Sequence, residues 1–156
     1  MVYTSYGKKN LEFIIFLTLN MIELQQDSEK NPGRGLILIV EDDEFLKSMI
    51  VQRLKKEGFG VEGSPDGKKA LEFLKSQIPA LIILDLLLPG VDGFQVLKDI
   101  REDARLKETP VIVLSNLGEP EYIDKAKALG ANDYLIKAHF TLGEIMEKVN
   151  KLFLKK

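Results

Sequence analysis

The sequence predicts an α/β domain: a five-stranded parallel sheet, strand order 2-1-3-4-5, doubly wound with helices on both faces. Three observations carry that prediction. Leu36–Val40, Leu81–Leu84 and Val111–Leu114 are continuous apolar runs, too uniform for a sheet with one face in water. The segments between them repeat their apolar residues with a helical period. Strand and helix signals then alternate five times, the pattern of a sheet built from parallel crossovers.

Taken in order, LILIV at 36–40 is the first strand and ends in three acids, Glu41, Asp42 and Asp43. The helix that follows places Phe45, Leu46, Met49, Ile50 and Leu54 on one face and turns Lys47, Arg53, Lys55 and Lys56 away. Gly58 closes it. Phe59–Val61 reads as a short, weak strand, and Ser64-Pro65-Asp66-Gly67 as a turn. A second helix carries Ala70, Leu71, Phe73 and Leu74 and stops before Pro79. Leu81–Leu84 is the third strand and delivers a lone carboxylate, Asp85. The dipeptides Pro89-Gly90 and Asp92-Gly93 then mark a loop before a helix from Phe94 to Ile100. After Thr109-Pro110 comes the fourth strand, ending at Ser115-Asn116. Pro120 starts a helix that runs to Leu129. Residues 131–136 form the fifth strand, up to Lys137, and a last helix spans Thr141 to Phe153. Five strands suit the flavodoxin-like order better than the six-stranded dinucleotide-binding one. Acids also stand where a glycine-rich phosphate loop would follow the first strand, which argues against a nucleotide cradle.

The chain has 156 residues, a formal net charge of −2 with both signs interspersed, and no cysteine. This excludes disulfides and thiolate sites, and supplies no basic footprint for nucleic acid. Residues 1–35 form an N-terminal extension and linker, and residues 36–156 the folded domain. In the extension, the patch Phe13–Leu17 is interrupted nearby by Glu12, Thr18 and Asn20. It falls short of the roughly 20 apolar residues that span a bilayer. Two readings of it stay open: a short amphipathic helix, or an upstream start with Met21 as the true initiator. No membrane span is expected, and a cytoplasmic location is.

Ligands of an open parallel sheet bind beyond the carboxyl ends of its strands, at the point where strand order switches. That edge receives Glu41-Asp42-Asp43, Asp85, Ser115 and Lys137. Carboxylates brought together repel and raise each other's pKa. A hard divalent cation removes that cost, and Mg²⁺ is held by one or two carboxylates with waters and phosphate oxygens. Asp42 and Asp85 are the natural direct ligands. With a lysine and a hydroxyl beside them, Asp85 could attack phosphorus and become an aspartyl phosphate. Asp43 reads better as a helix cap than as a ligand. Asp66 and Asp92 read as turn acids, and His139 as a solvated loop residue.

These features resemble the receiver domain of response regulators, the phosphoacceptor half of two-component signalling. The likeness runs over residues 36–154. It rests on the acidic pair, LDLLLPGVDG, the serine after the fourth strand, the lysine after the fifth, and the linking runs PDGKKALEFL and ALGANDYLIK. It implies Asp85 as phosphoacceptor, with Mg²⁺ held by Glu41, Asp42, Asp85 and the backbone carbonyl of Leu87. Ser115 and Lys137 would hold the phosphoryl group, and Tyr134 would move inward with the Ser115 hydroxyl. Tyr134 as a plain strand-packing aromatic stays open beside that role. The family usually has a cis proline after the lysine; Ala138 stands there, and a non-proline cis bond costs about 3 kcal/mol. A trans bond and a differently shaped loop are therefore expected. Leu87 and Leu117 stand where polar residues often flank the site, which implies a long-lived phosphate.

The function implied is that of a stand-alone response regulator, because the chain ends directly after its last helix. It would accept phosphate from a histidine kinase or phosphotransfer protein. It would then bind a downstream target through its fourth and fifth helices and fifth strand. A phosphorylation-dependent dimer stays open. The alternative is a phosphorylation-independent interaction module of the same fold. A phosphatase using Asp85 as nucleophile needs a second acid two residues on, and position 87 is leucine. An enzyme in the ordinary sense is not expected.

Overall fold

A computed structural model describes residues 33–154. The expectations for the Phe13–Leu17 patch and for Met21 lie outside those residues. The elements run β1 (Leu36–Val40), α1 (Glu44–Lys56), β2 (Gly60–Ser64), α2 (Gly67–Leu74), β3 (Leu81–Leu84) and α3 (Gly93–Glu102). They continue with β4 (Val111–Ser115), α4 (Pro120–Ala128), β5 (Asp133–Ile136), a 3₁₀ turn (Lys137–His139) and α5 (Leu142–Leu154). The five strands pair in the order β2-β1-β3-β4-β5, and every pairing is parallel.

Side chains alternate across a strand, so the apolar runs feed two cores. Leu38, Val40, Ile82, Leu84, Val111 and Val113 face α2, α3 and α4, meeting Ala70, Leu74, Val96, Leu97, Ile100 and Ala126. Ile37, Ile39, Leu81, Ile83, Ile112 and Leu114 face α1 and α5, meeting Ile50, Leu54, Ile145, Met146 and Val149. Both faces of the central strands are dry, as their unbroken apolar runs require. Among the described residues no helix is long and apolar enough to cross a membrane.

The starts of α1, α2 and α3 are capped by side chains. Asp43 Oδ1 accepts from Leu46 N at 2.9 Å and Asp66 Oδ1 from Lys69 N at 2.7 Å, while Asp92 Oδ1 accepts from Phe94 N at 2.8 Å. Asp43 is thus the cap expected of it. Asp66 and Asp92, expected only as turn acids, also close helix ends and place α2 and α3.

Four local expectations change. The weak second strand is Gly60–Ser64 rather than Phe59–Val61, since it takes its register residue by residue from β1, Leu36 opposite Gly60 through Val40 opposite Ser64. The fifth strand starts at Asp133, because Asn132 spends its side-chain oxygen on Val111 N and Arg101 in the preceding turn. On α1, Phe45 was expected on the apolar face and is 75 % exposed. Lys47 was expected outward and is buried instead. Its stem crosses Gly63, whose missing Cβ would lie 3.2 Å from Lys47 Cδ, while its ammonium pairs with Glu44 at 2.5 Å.

At the opposite end of the sheet, Arg34 lies over the Phe59 ring at 4.4 Å and donates to Asn150 Oδ1 at 2.8 Å. This residue, read as linker, packs on the domain.

Candidate functional site

Parallel pairing sets the site's geometry before any side chain is considered. Val40 pairs with Leu84, and Asp85 N donates to the Val40 carbonyl at 3.0 Å. The residues just past β1 and β3 are therefore neighbours. Ser115 pairs with Ile136 at the ends of β4 and β5, so Lys137 emerges beside them. Glu41, Asp42 and Asp85 come together, their donor atoms all within 4.8 Å of one another. Glu41 and Asp85 are buried, while Asp42 is the exposed member.

Lys137 closes this cluster. Its ammonium donates to Asp85 Oδ2 at 2.7 Å and lies 2.6 Å from Glu41 Oε2. The other carboxylate oxygens are held by backbone: Asp85 Oδ1 accepts from Leu87 N at 3.1 Å, and Glu41 Oε1 from Asp43 N at 3.0 Å. Glu41 Oε2 is the exception. It is buried and ion-paired with the Lys137 ammonium, with no aligned hydrogen bond to it among the described residues. Three carboxylates converging within 4.8 Å, with a single ammonium among them, are a donor set that suits a hard cation.

The proton affinities follow. Burial pushes the Glu41 carboxyl above its ordinary range, opposed by its charge contact with Lys137 and the Asp43 N–H. For Lys137, burial alone would lower the pKa, but Asp85 and Glu41 outweigh it and the ammonium is held above its usual value. The lysine faces two carboxylates, whereas Glu41 shares one ammonium with Asp85. The cluster is thus acid-rich, with one cation spread over two buried anions.

Ser115 is fully buried at the end of β4, and its Oγ accepts from Leu117 N at 3.3 Å. The Tyr134 hydroxyl donates to the Leu117 carbonyl at 2.6 Å. Burial raises the pKa of that hydroxyl, Ser115 pulls it back, and the negative charges of Asp85 and Glu119 add to the rise. The Tyr134 hydroxyl is thus tied to the loop that follows Ser115. Leu87 is exposed and Leu117 half-buried.

The sequence and the resemblance brought forward Glu41, Asp42 and Asp85 as metal ligands without saying which acid joins Asp85 on the lysine; that acid is Glu41. It did not single out Gly93 by itself. A Cβ there would stand 2.3 Å from the Asp85 carbonyl and 2.4 Å from Leu86 Cα, so only glycine lets α3 start against the Asp85 loop. The Asp92-Gly93 turn dipeptide was its signal. Gly90 turns the same loop at φ +77°. Ala138 leaves Lys137 in a 3₁₀ turn, with no cis peptide bond among the described residues. His139 is exposed, as expected.

Acids, a buried hydroxyl and a lysine thus meet at the carboxyl edge of a parallel sheet of this order. The family model of the response regulator receiver domain matches residues 37–150, and the chain belongs to that family. Chemotaxis protein CheY-3 of Vibrio cholerae is 34% identical over 118 residues, covering 75% of this chain and 90% of that one. The phosphate regulon transcriptional regulatory protein PhoB of Rhizobium meliloti is 34% identical over 116 residues, 74% of this chain and 51% of its own. The chain spans about half the length of the transcriptional regulators it matches. Among solved structures, the Francisella response regulator 1452 receiver domain superposes with a TM-score of 0.72 at 30% identity, covering 78% of this chain and 98% of that one.

Proposed function

We propose that this chain is a response regulator that accepts a phosphoryl group on Asp85 from a histidine kinase or phosphotransfer protein. The reading is carried by one observation. Lys137 bridges Asp85 and Glu41, and Asp42 stands within reach on the open side. A reactive carboxylate, a neutralising cation and an acid cluster then meet at the switch point of the sheet.

Glu41, Asp42 and Asp85, with the Leu87 carbonyl, would hold Mg²⁺, and the convergence of three acids on one lysine is what favours a cation there. The bound ion supplies positive charge to the phosphoryl oxygens. The chain's own groups do the rest. Leu87 N fixes the orientation of the Asp85 carboxylate. An Asp85 oxygen forms a bond to phosphorus as the phosphorus–nitrogen bond of the donor phosphohistidine breaks. The imidazole leaves and takes its proton from solvent. Lys137 then follows the new phosphoryl oxygens, and the Ser115 hydroxyl donates to one of them. That would free Leu117 and Tyr134 to rearrange, passing the event to the surface of α4, β5 and α5.

A stand-alone role is part of this proposal. A cytoplasmic setting and a phosphorylation-dependent dimer belong to the same proposal. Incubation with phosphoramidate, a small phosphorus–nitrogen donor, provides the test. Label should appear on the protein with Mg²⁺ and not with EDTA. Metal-independent labelling would refute the role given to the acid cluster.

A further inference from the structure

Helix α4 is held very differently at its two ends. At its start, Glu119 stands at the cap position without a side-chain hydrogen bond to the helix among the described residues, and Pro120 and Glu121 are exposed. Ala126, in its second half, is its one buried residue, whereas α1 and α2 bury three each and α3 five. Tyr122 and Lys125 reach Phe94 on α3, the ring centres 6.3 Å apart and the ammonium 4.1 Å from the Phe94 centre. Ring-face contacts of this kind hold loosely and tolerate sliding. An element with so little buried surface is the one that opens or shifts at least cost.

The far end is bolted. Arg101, in the last turn of α3, donates to the Gly130 carbonyl through Nε at 3.1 Å and Nη2 at 2.8 Å. Nη2 also donates to Asn132 Oδ1 at 3.1 Å, and Nη1 to the Thr109 carbonyl at 2.9 Å. Asn132 in turn pairs with the first residue of β4: its Oδ1 accepts from Val111 N and its N–H donates to the Val111 carbonyl, both at 2.8 Å. One guanidinium thus joins the end of α3, the approach to β4 and the turn that closes α4. Its planar fork fixes orientation as well as distance. Gly130 is part of the fit: at φ +98°, its missing Cβ would lie 2.7 Å from Arg101 Nε.

We propose that Arg101 is the hinge pin of α4: the helix tilts about Gly130, its Pro120 end swinging while the turn at Gly130–Asn132 stays fixed. Helical rise puts Pro120 about 15 Å from Gly130, so a tilt of about 10° carries it about 2.5 Å. The free end is also the one tied to the site. Leu117, three residues before Pro120, donates its N–H to Ser115 Oγ and accepts the Tyr134 hydroxyl on its carbonyl. The pin stands on these contacts alone; only the trigger of the swing rests on the phosphoacceptor reading.

Amide resonances of the whole chain read both ends of the helix. Tyr134→Phe frees the Leu117 carbonyl without any phosphate. It should shift the Tyr122 and Ile123 amides, which donate to the Glu119 carbonyl, and leave Ala131 and Asn132 in place. Acetyl phosphate with Mg²⁺ should give the same pattern in otherwise wild-type protein. In Arg101→Met both perturbations should reach Ala131 and Asn132. Hydrogen exchange at those two amides should rise about tenfold, with Ile123 unchanged. Arg101→Lys keeps the charge but offers one compact ammonium to three acceptors. It should behave likewise, and it serves if the methionine variant does not fold. Equal shifts at both ends of wild-type α4 would overturn the hinge, since the helix would then move as a body. Shifts that still stop short of Ala131 in the Arg101 variants, or exchange raised along the whole helix alike, would remove Arg101 as the pin. Labelled Asp85 with α4 unshifted overturns the trigger. Absence of label with the Tyr134→Phe pattern intact overturns the phosphoacceptor reading and leaves the hinge standing.

Discussion

Replacing Lys137 with methionine keeps much of the stem and removes the ammonium that holds Asp85 and Glu41 together. Their side chains are only 4% and 2% exposed, and that of Lys137 is 13% exposed. Leaving one side of a buried ion pair uncompensated costs about 3–5 kcal/mol. Asp42 keeps one side of the cluster open to water, so the lower end applies. A loss of about 3 kcal/mol corresponds to a fall of about 10 °C in melting temperature for a domain of this size. The magnesium dependence is the sharper part of the prediction. In wild type an incoming cation must share Asp85 and Glu41 with Lys137; in the variant it meets two unpaired carboxylates. Mg²⁺ should therefore bind Lys137→Met more tightly and restore most of its lost stability, while raising wild type less. Thermal unfolding in EDTA and across a magnesium titration measures both effects. Equal stability of the two proteins in EDTA would refute the claim that the lysine compensates the acids. Equal gains from Mg²⁺ would refute the claim that it competes with the metal.

Other outcomes follow from the same contacts. Gly93→Ala pushes a Cβ to 2.3 Å from the Asp85 carbonyl. Because the obstacle is backbone, it should cost about 3 kcal/mol or more by urea unfolding; a change within error would mean that α3 can simply retreat. Folded Lys137 holds its proton above the ordinary lysine value of 10.5. Its stabilisation is therefore complete below that pH and is lost as pH rises through the higher folded value. Wild-type stability should decline there more steeply than that of Lys137→Met, measured in EDTA. The phosphorylated protein should keep its label for minutes or longer, because Leu87 and Leu117 offer an attacking water no hydrogen-bonding group. Leu87→Asn should shorten that lifetime while keeping the residue 87 carbonyl, and loss of wild-type label within seconds would contradict the reasoning.

How much of this was legible in the sequence depended on whether the cause was local. The central strands were, because burial on both faces demands uninterrupted apolar runs, and Leu81–Leu84 carries that demand in its own residues. The site edge was legible too, since parallel strands bring Asp85, Ser115 and Lys137 to one side whatever their side chains do. The exchange of Phe45 and Lys47 was not. The gap that the Lys47 stem fills exists because Gly63 lies on a different strand, and the period of α1 contains no trace of it. The choice of Glu41 over Asp42 as the second acid on the lysine was likewise hidden. Both acids follow β1, and only the direction in which the chain leaves the sheet decides which is buried. The bounds of the second strand were hidden for a similar reason: Gly60–Ser64 pairs with β1 without being apolar.

The most direct test of the account is to phosphorylate the purified chain with acetyl phosphate and Mg²⁺ and locate the modified residue, beside Asp85→Asn. The account predicts a single phosphoryl group on wild type, held as a hydroxylamine-labile acyl phosphate at Asp85, and none on the variant. Label that persists in Asp85→Asn, or that maps to another residue of wild type, would contradict it.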